Sequence, residues 1–213
     1  LSYRAQLRGW RFVYVQGIVV PGELPARMTS LKVQHHRWTK GSIQTALKLF
    51  AAVARSRQPW RVKLEAGFHF GNWLTYPMGL LVSVLILPQL LLSHALVASH
   101  GLAASGGYLG LLLLGVTCLF HLVAQRQARA LGWALLADIP VLMAVSVGLA
   151  LNNTHAVWEA LRGAPSMFER TPKYNGRADA LTHRHYRVEP RGRQQWVELA
   201  LGAYTSVAIG YAA

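Results

Sequence analysis

The chain has 213 residues, of which 53% are hydrophobic and only 14% are charged, with a formal net charge of +14 and a mean hydropathy of +0.25. An ordinary soluble domain carries about 25% charged residues, so this composition excludes a typical soluble globular protein. The charges are also segregated. Residues 66–125 contain no Asp, Glu, Lys or Arg, whereas residues 1–63 hold 12 of the 22 Lys and Arg residues. A membrane-crossing helix needs about 20 mostly apolar residues, so we predict an integral membrane protein with basic flanks.

The first part of the chain predicts a helix, a hairpin and a long second helix. Residues 1–10 have helical spacing, and Gly9 is a plausible helix stop. The segments RFVYV (11–15) and IVV (18–20) predict two short strands joined by a tight turn. After a break that contains Pro and Gly, a helix is predicted from about Arg27 to Ala54, with an apolar face in its second half.

The uncharged middle of the chain predicts membrane helices. Residues 57–73 mix Arg, Lys, Trp and Phe at helical spacing, which is typical of a helix in the headgroup region. Trp60 and Trp73 would anchor that helix at the interface. Two spans are then predicted, over about Leu74–Ala98 and Tyr108–Ala124.

The next apolar stretch, Leu131–Leu151, conflicts with a simple topology. If it crossed the membrane fully, the basic residues of 152–195 would lie outside, against the positive-inside rule. Asp138 and Pro140 also lie in its middle, where an ionisable group at bilayer depth is costly. We prefer a re-entrant or broken hairpin, and a simple span with an unusual topology is the alternative. A further span is predicted to begin near Trp196.

One turn of the long helix groups three side chains suited to binding a sugar. Gln34, Arg37 and Trp38 stand at i, i+3 and i+4 and therefore share a helix face. Arg37 offers a planar fork of donors, Gln34 offers a donor and an acceptor, and Trp38 offers a flat apolar surface. A basic amphipathic helix whose Trp anchors at the interface is the alternative, and the residues alone favour it. The adjacent His35 and His36 point about 100° apart, so they are not expected to chelate one metal.

The motif resembles a known family. QHHRW (34–38) matches the Q-x-x-R-W motif of processive, membrane-embedded family 2 glycosyltransferases, which include cellulose, hyaluronan, mannan and glucan synthases. RWTKGSIQTA (37–46) resembles the cellulose synthase-like and glucomannan synthase-like members. Residues 1–15 are similar to the segment that follows the family's Thr-Glu-Asp motif. The resemblance implies that Gln34, Arg37 and Trp38 bind the acceptor sugar.

A second segment resembles the same family. MFERTPKYN (167–175) is similar to the F-x-V-T-x-K gating loop of cellulose synthases, with Phe168, Thr171 and Lys173 at the motif positions and Arg170 in place of Val. The resemblance implies that these four residues close over the donor. A basic cytoplasmic loop near anionic lipid is the alternative for the segment taken alone.

The catalytic groups of that family are not among the residues of this sequence. Its eight acids form no D-x-D motif and no paired carboxylates. We therefore assign no catalytic residue and no metal ligand here, and expect the catalytic base upstream of Leu1. Mg²⁺ or Mn²⁺ is expected only in the intact enzyme, and the chain alone is not expected to be a complete catalyst.

The predicted fold class is mainly α, with transmembrane and interfacial helices following the tail end of a truncated α/β glycosyltransferase domain. Both ends of the chain interrupt predicted elements, so we expect a fragment. The end of the glycosyltransferase domain is predicted over residues 1–56 and an interfacial helix over 57–72. Membrane helices follow over 73–151, a cytoplasmic gating-type loop over 152–195, and the start of a further span over 196–213.

The function implied by the resemblance is polymerisation of a β-linked polysaccharide by an inverting glycosyltransferase that also passes the product across the membrane. The expected partners are a UDP- or GDP-sugar, the growing glycan, the lipid bilayer and accessory subunits. The expected location is a bacterial inner membrane, as a multi-pass protein. Although the isoelectric point is about 10.8, the basic blocks flank apolar segments, so we expect no nucleic acid. A non-catalytic membrane channel or assembly subunit, and an ordinary transporter, are the alternatives.

Overall fold

The computed structural model describes residues 2–15, 17–20, 22–25, 27–96, 115–126 except 117, 121 and 125, 141–165 except 143, and 192–212. Over these residues the chain is mostly helical and contains no β-strand. Its helices with defined bounds are α1 Ser2–Leu7, α2 Met28–Arg55, α3 Trp60–Gly71, α4 Thr75–Leu96, α5 Ala150–Leu161 and α6 Gly192–Ala212, with a 3-10 turn at Asn72–Leu74. The mainly α class is thus confirmed, and α2 confirms the predicted long helix.

The chain divides into two units. One consists of Leu1–Met78 with Leu151–Gly192, and the other of Gly79–Ala150 with Arg193–Ala213. In the second unit, the Tyr204 hydroxyl on α6 donates a hydrogen bond to the Val84 carbonyl on α4.

Two apolar clusters hold the first unit together. Val53 of α2 packs with Ala66 and Phe70 of α3, and Tyr3 and Leu7 of α1 pack against them. The second cluster joins α2 to α5 and has Trp73 against it; its buried members are Ile43, Val157 and Ala160. The two clusters bury Ile43 and Val53 of α2. The apolar face predicted for the second half of the helix is exposed instead, at Leu47, Phe50, Ala51 and Ala54.

Glycines in the left-handed conformation end two of the helices. Gly9 follows α1 with φ +88°, and Gly163 follows α5 with φ +66°. In each case the glycine N–H and the next N–H donate back to carbonyls of the last turn. That pattern is the Schellman motif, which favours glycine because it has no Cβ. The predicted helix stop at Gly9 is confirmed.

The two predicted strands, 11–15 and 18–20, are wrong for the described residues. Residues 10–15 and 18–20 have no regular secondary structure, residue 17 lies in a turn, and all of them are exposed. A two-stranded hairpin is marginal at best without a third strand or a packing helix. The apolar runs of these segments are present, but nothing in the described part of the chain covers them, so the truncated α/β domain stays a prediction.

One helix in the described part of the chain, Trp60–Leu92, is long and apolar enough to cross a bilayer by length and composition. Pro88 lies inside α4, and the helix continues through it. Residues 97–114 and 127–140 lie outside the described residues. The second predicted span, the topology of 131–151 and the domain boundaries therefore stay predictions.

Candidate functional site

The predicted acceptor residues lie together on α2. The helix follows Arg27, whose backbone is extended, and runs unbroken for 28 residues. Gln34, Arg37 and Trp38 therefore keep the spacing that places them on one face. Trp38 is 47% exposed, and Gln34 and Arg37 are half-buried. The face thus presents one aromatic surface flanked by two hydrogen-bonding side chains.

The Trp38 ring has an aromatic neighbour on its own helix. The rings of His35 and Trp38 have centroids 5.4 Å apart and planes inclined by 51°. Burial lowers the pKa of His35 below 6.5, which favours the neutral imidazole at neutral pH. The Nδ1 atom of His35 and the Oε1 atom of Gln34 are buried and have no hydrogen-bond partner among the described residues.

The opposite face of α2 is covered by α5. Four α2 residues contact it through hydrogen bonds or apolar packing, namely Lys32, His36, Lys40 and Ile43. With 3.6 residues per turn, these four lie within a sector of about 80°, and the centre of the Gln34–Arg37–Trp38 face is about 160° away from theirs. Residues that bind α5 and residues predicted to bind a sugar therefore alternate along the same turns without competing for space.

Glu159 of α5 is the centre of a polar network on this covered side. Its Oε2 atom accepts a hydrogen bond from Lys40 Nζ at 2.8 Å and lies 3.1 Å from His36 Nε2. Its Oε1 atom lies 3.1 Å from His155 Nδ1, one helix turn before it. Lys40 is only 2% exposed and also donates to the Pro165 carbonyl at 3.2 Å. Burial raises the pKa of Glu159, but the hydrogen bonds from Lys40 and His36 outweigh that effect and lower it to about 2.

His36 and Asn152 extend the network along α2. The Nδ1 atom of His36 lies 3.3 Å from the Asn152 carbonyl, and the Asn152 side-chain amide donates to the Lys32 carbonyl at 2.9 Å. Both ring nitrogens of His36 therefore face oxygen acceptors. Only the doubly protonated imidazolium has an N–H for each of them.

Three members of the network also have the geometry of metal ligands. Ligand atoms of His36, His155 and Glu159 lie within 4.8 Å of one another. The Lys40 ammonium already contacts the Glu159 carboxylate, so a divalent ion there would meet a buried like charge. We read the group as an ion-pair network in which Lys40 supplies the cation.

Sequence reasoning missed this network. Lys40 and Glu159 are 119 positions apart, and only the fold brings them together. One signal was available, because His36 and Lys40 are polar residues four apart that align with Ile43 on the apolar side of α2. The predicted donor residues Phe168, Arg170, Thr171 and Lys173 lie outside the described residues.

Curated proteins match part of the chain. A stretch of 56 residues is 41% identical to glucomannan 4-beta-mannosyltransferase 7 of Arabidopsis thaliana and covers 26% of this chain and 10% of the relative. A stretch of 84 residues is 31% identical to glucomannan 4-beta-mannosyltransferase 2 of Arabidopsis thaliana. It covers 36% of this chain and 16% of the relative. A stretch of 73 residues is 34% identical to probable glucomannan 4-beta-mannosyltransferase 3 of Oryza sativa subsp. japonica. It covers 33% of this chain and 13% of the relative.

The chain is a partial homologue of the glucomannan 4-beta-mannosyltransferases. The resemblance to the cellulose synthase-like family 2 glycosyltransferases that Q-x-x-R-W implies is confirmed, and so is the resemblance to a glycosyltransferase. The chain spans 10–16% of the length of these three mannosyltransferases. No family model matches the chain. No solved structure matches it either.

The mannosyltransferase relatives correct one expectation. They come from the plants Arabidopsis thaliana and Oryza sativa, so the predicted location in a bacterial inner membrane is wrong. Of the multi-pass arrangement expected with it, the described part of the chain contains one helix that is long and apolar enough to cross a bilayer.

Proposed function

We propose that this chain belongs to a processive, inverting glycosyltransferase that polymerises a β-linked glycan, and that α2 holds the acceptor end of the growing chain. The observation that carries the proposal is the Gln34–Arg37–Trp38 face, which projects from the side of α2 that α5 leaves uncovered. The relatives are named as mannosyltransferases that form β-4 linkages of glucomannan, which supports a hexosyl donor and a β-glycan acceptor.

The chemistry of the face suits a pyranose ring. The exposed indole of Trp38 provides an apolar plane for the C–H face of the sugar. Arg37 supplies several N–H donors in a fixed geometry for hydroxyl oxygens. Gln34 has a buried Oε1 atom with no partner in the described part of the chain, and an acceptor hydroxyl would satisfy it.

The donor of this reaction is proposed to be a UDP- or GDP-sugar. By resemblance, Phe168, Arg170, Thr171 and Lys173 close over it, and the two cations suit a diphosphate. Mg²⁺ or Mn²⁺ would accompany the diphosphate. The sequence contains no D-x-D motif, so none of its residues is assigned to the metal.

The product is proposed to leave across a membrane along the Trp60–Leu92 helix. Its most apolar stretch is not buried by the rest of the protein, which suits contact with a lipid bilayer, whereas Ala66 and Phe70 near its start pack against Val53. The exposed apolar side chains of Trp10–Val15 are proposed to lie against the α/β nucleotide-binding domain of the intact enzyme, which would supply the strand partners they lack.

The test replaces Trp38 with Ala in the full-length protein. Membranes that carry it are incubated with radiolabelled GDP-mannose or UDP-glucose, and the polymer formed is measured. Truncating an aromatic anchor at the centre of a contact costs 2 kcal/mol or more, so we expect polymer synthesis to fall by at least about 30-fold. Trp158→Ala is the matched control, because Trp158 lies on α5, is 53% exposed and stacks on Arg162 instead. Equal activity of the two variants contradicts the acceptor role.

A second candidate is a non-catalytic channel or assembly subunit related to such synthases. The lack of a D-x-D motif and of paired carboxylates in the sequence favours it. The same experiment separates the two functions. A subunit without an acceptor site would leave polymer synthesis unchanged when Trp38 is removed.

A further inference from the structure

The Glu159 network holds α2 over three successive turns. The backbone carbonyl of Lys32 and the side chains of His36 and Lys40 follow one another at four-residue intervals, and each bonds to α5 or to the segment just after it. Such a row lies along one line of the helix surface. Ile43 and Val157 continue the contact with apolar packing. The face of α2 that carries Trp38 is therefore set by what holds the face behind it.

Lys40 makes this arrangement sensitive to rotation. An ammonium group that is 2% exposed is costly unless opposite charge and hydrogen bonds compensate for it. Its compensation comes from the Glu159 carboxylate at 2.8 Å and the Pro165 carbonyl at 3.2 Å. Rotation of α2 would lengthen both bonds and leave a buried charge without them. Glu159 would lose its contacts to Lys40 and His36 in the same movement.

The segment just after α5 supplies the second hydrogen-bond acceptor of Lys40. Gly163, with φ +66°, turns the chain at the end of α5, and the carbonyl of Pro165 comes to Lys40 two residues later. A left-handed residue at this place favours glycine. Lys40 thus has one acceptor on α5 and one just beyond its end.

We propose that Glu159 is a positioning residue for glycosyl transfer: acting through Lys40 and His36, it fixes the rotation of α2 and with it the angle at which Trp38 meets the acceptor sugar. The inference rests on the proposed acceptor function of the Gln34–Arg37–Trp38 face. A rotation of α2 by about 20° would move a group about 6 Å from the helix axis by about 2 Å. A misplacement of about 1 Å already costs an enzyme as much as about 100-fold in rate.

The first experiment replaces Glu159 with Gln in the full-length protein. Initial rates are measured with GDP-mannose as donor and β-1,4-mannohexaose as added acceptor. We expect the acceptor KM to rise about tenfold, as coupling energies between contacting residues allow. The donor KM should stay within about twofold, a split that a general loss of folded enzyme does not produce. Glu198→Gln on α6 is the matched control, because it removes the same charge from a helix of the other unit.

A second set of variants separates positioning from stability. Removing one partner of a buried ion pair leaves the other charge uncompensated, so Glu159→Gln can lower stability as well. The double variant Lys40→Met/Glu159→Leu removes both charges and keeps apolar volume, which is often neutral or stabilising. We expect it to regain the thermal stability that Glu159→Gln loses and still to show the raised acceptor KM, because Met and Leu cannot form the directional hydrogen bonds that Lys40 and Glu159 make at this position. Glu159→Asp and Lys40→Arg keep both charges and should rescue the acceptor KM in part.

The outcomes distinguish the two proposals. A parental acceptor KM in the stable double variant overturns the positioning role, as does an equal rise of the donor and acceptor KM in Glu159→Gln. If Trp38→Ala raises the acceptor KM and Glu159→Gln does not, the positioning role fails and the acceptor function stands. If neither variant raises it, both proposals are wrong.

Discussion

His35 and His36 are neighbours in the sequence, yet the fold gives their imidazole rings different contacts. His35 packs beside the Trp38 ring, and burial favours its neutral form. His36 has an oxygen at each ring nitrogen, the Asn152 carbonyl and the Glu159 carboxylate. The sequence correctly predicts that the pair does not chelate one metal. It gives no indication that His36 contacts Asn152 and Glu159, because both residues lie more than 100 positions away in the chain.

His35 makes stability depend on pH. Its pKa in the folded protein lies below the value of 6.5 for an unperturbed histidine, so below that pH the unfolded chain binds more protons than the folded one. Its contribution to stability is therefore full above pH 6.5 and is lost as the pH falls from there towards its folded pKa. We expect His35→Phe to flatten the fall in melting temperature between about pH 7 and about pH 5.

The measurement is thermal unfolding followed by tryptophan fluorescence at a series of pH values. His69→Phe, at an exposed histidine of α3, serves as the matched control and should keep the parental slope. A His35→Phe protein that loses stability with acid as steeply as the parent would show that His35 does not carry this dependence.

At the scale of elements, α2 has two functional sides, and the sequence predicted one of them. The helix itself was predictable because its apolar residues recur with helical spacing, and the Q-x-x-R-W residues lie within a single turn. The covered side was not predictable, since Glu159 and Asn152 approach it from a distant segment. For residues 11–15 the prediction of a strand was wrong. Their local pattern fits a strand, but a strand needs a neighbouring strand for its backbone hydrogen bonds.

The contact between α2 and α5 can be tested through its apolar end. Ile43 is buried against Val157 and Ala160, whereas Leu47, one turn later on α2, is 61% exposed. Removing a buried Ile side chain to Ala costs about 2–5 kcal/mol, and an exposed substitution usually costs less than about 0.5 kcal/mol. We expect Ile43→Ala to lower the free energy of unfolding within that first range and Leu47→Ala to leave it nearly unchanged. Chemical denaturation of the two variants provides the comparison, and equal losses would contradict the packing of α5 on α2.

At the scale of the whole molecule, charge is segregated along the chain and the exposed apolar surface is concentrated in particular segments. The net charge of +14 comes from blocks on either side of an uncharged stretch of 60 residues. In the described part of the chain, that stretch begins within the one helix long and apolar enough to cross a bilayer. Exposed apolar side chains are also concentrated in residues 10–15. The composition therefore predicts the apolar character of Trp60–Leu92, and the other spans stay predictions.

The membrane role of Trp60–Leu92 is tested by moving one charge along it. Leu74 and Leu85 are both 49% exposed, but Leu74 ends the 3-10 turn beside Trp73, and Leu85 lies in the middle of the apolar part of α4. An Arg at the centre of a spanning helix costs about 2.5–3.5 kcal/mol on the insertion scale, whereas near the interface its side chain reaches the headgroups. We expect Leu85→Arg to reduce the fraction retained in membranes after alkaline carbonate extraction, and Leu74→Arg to leave it unchanged. If Leu85→Arg stays in the membrane as well as Leu74→Arg does, this helix does not cross the bilayer.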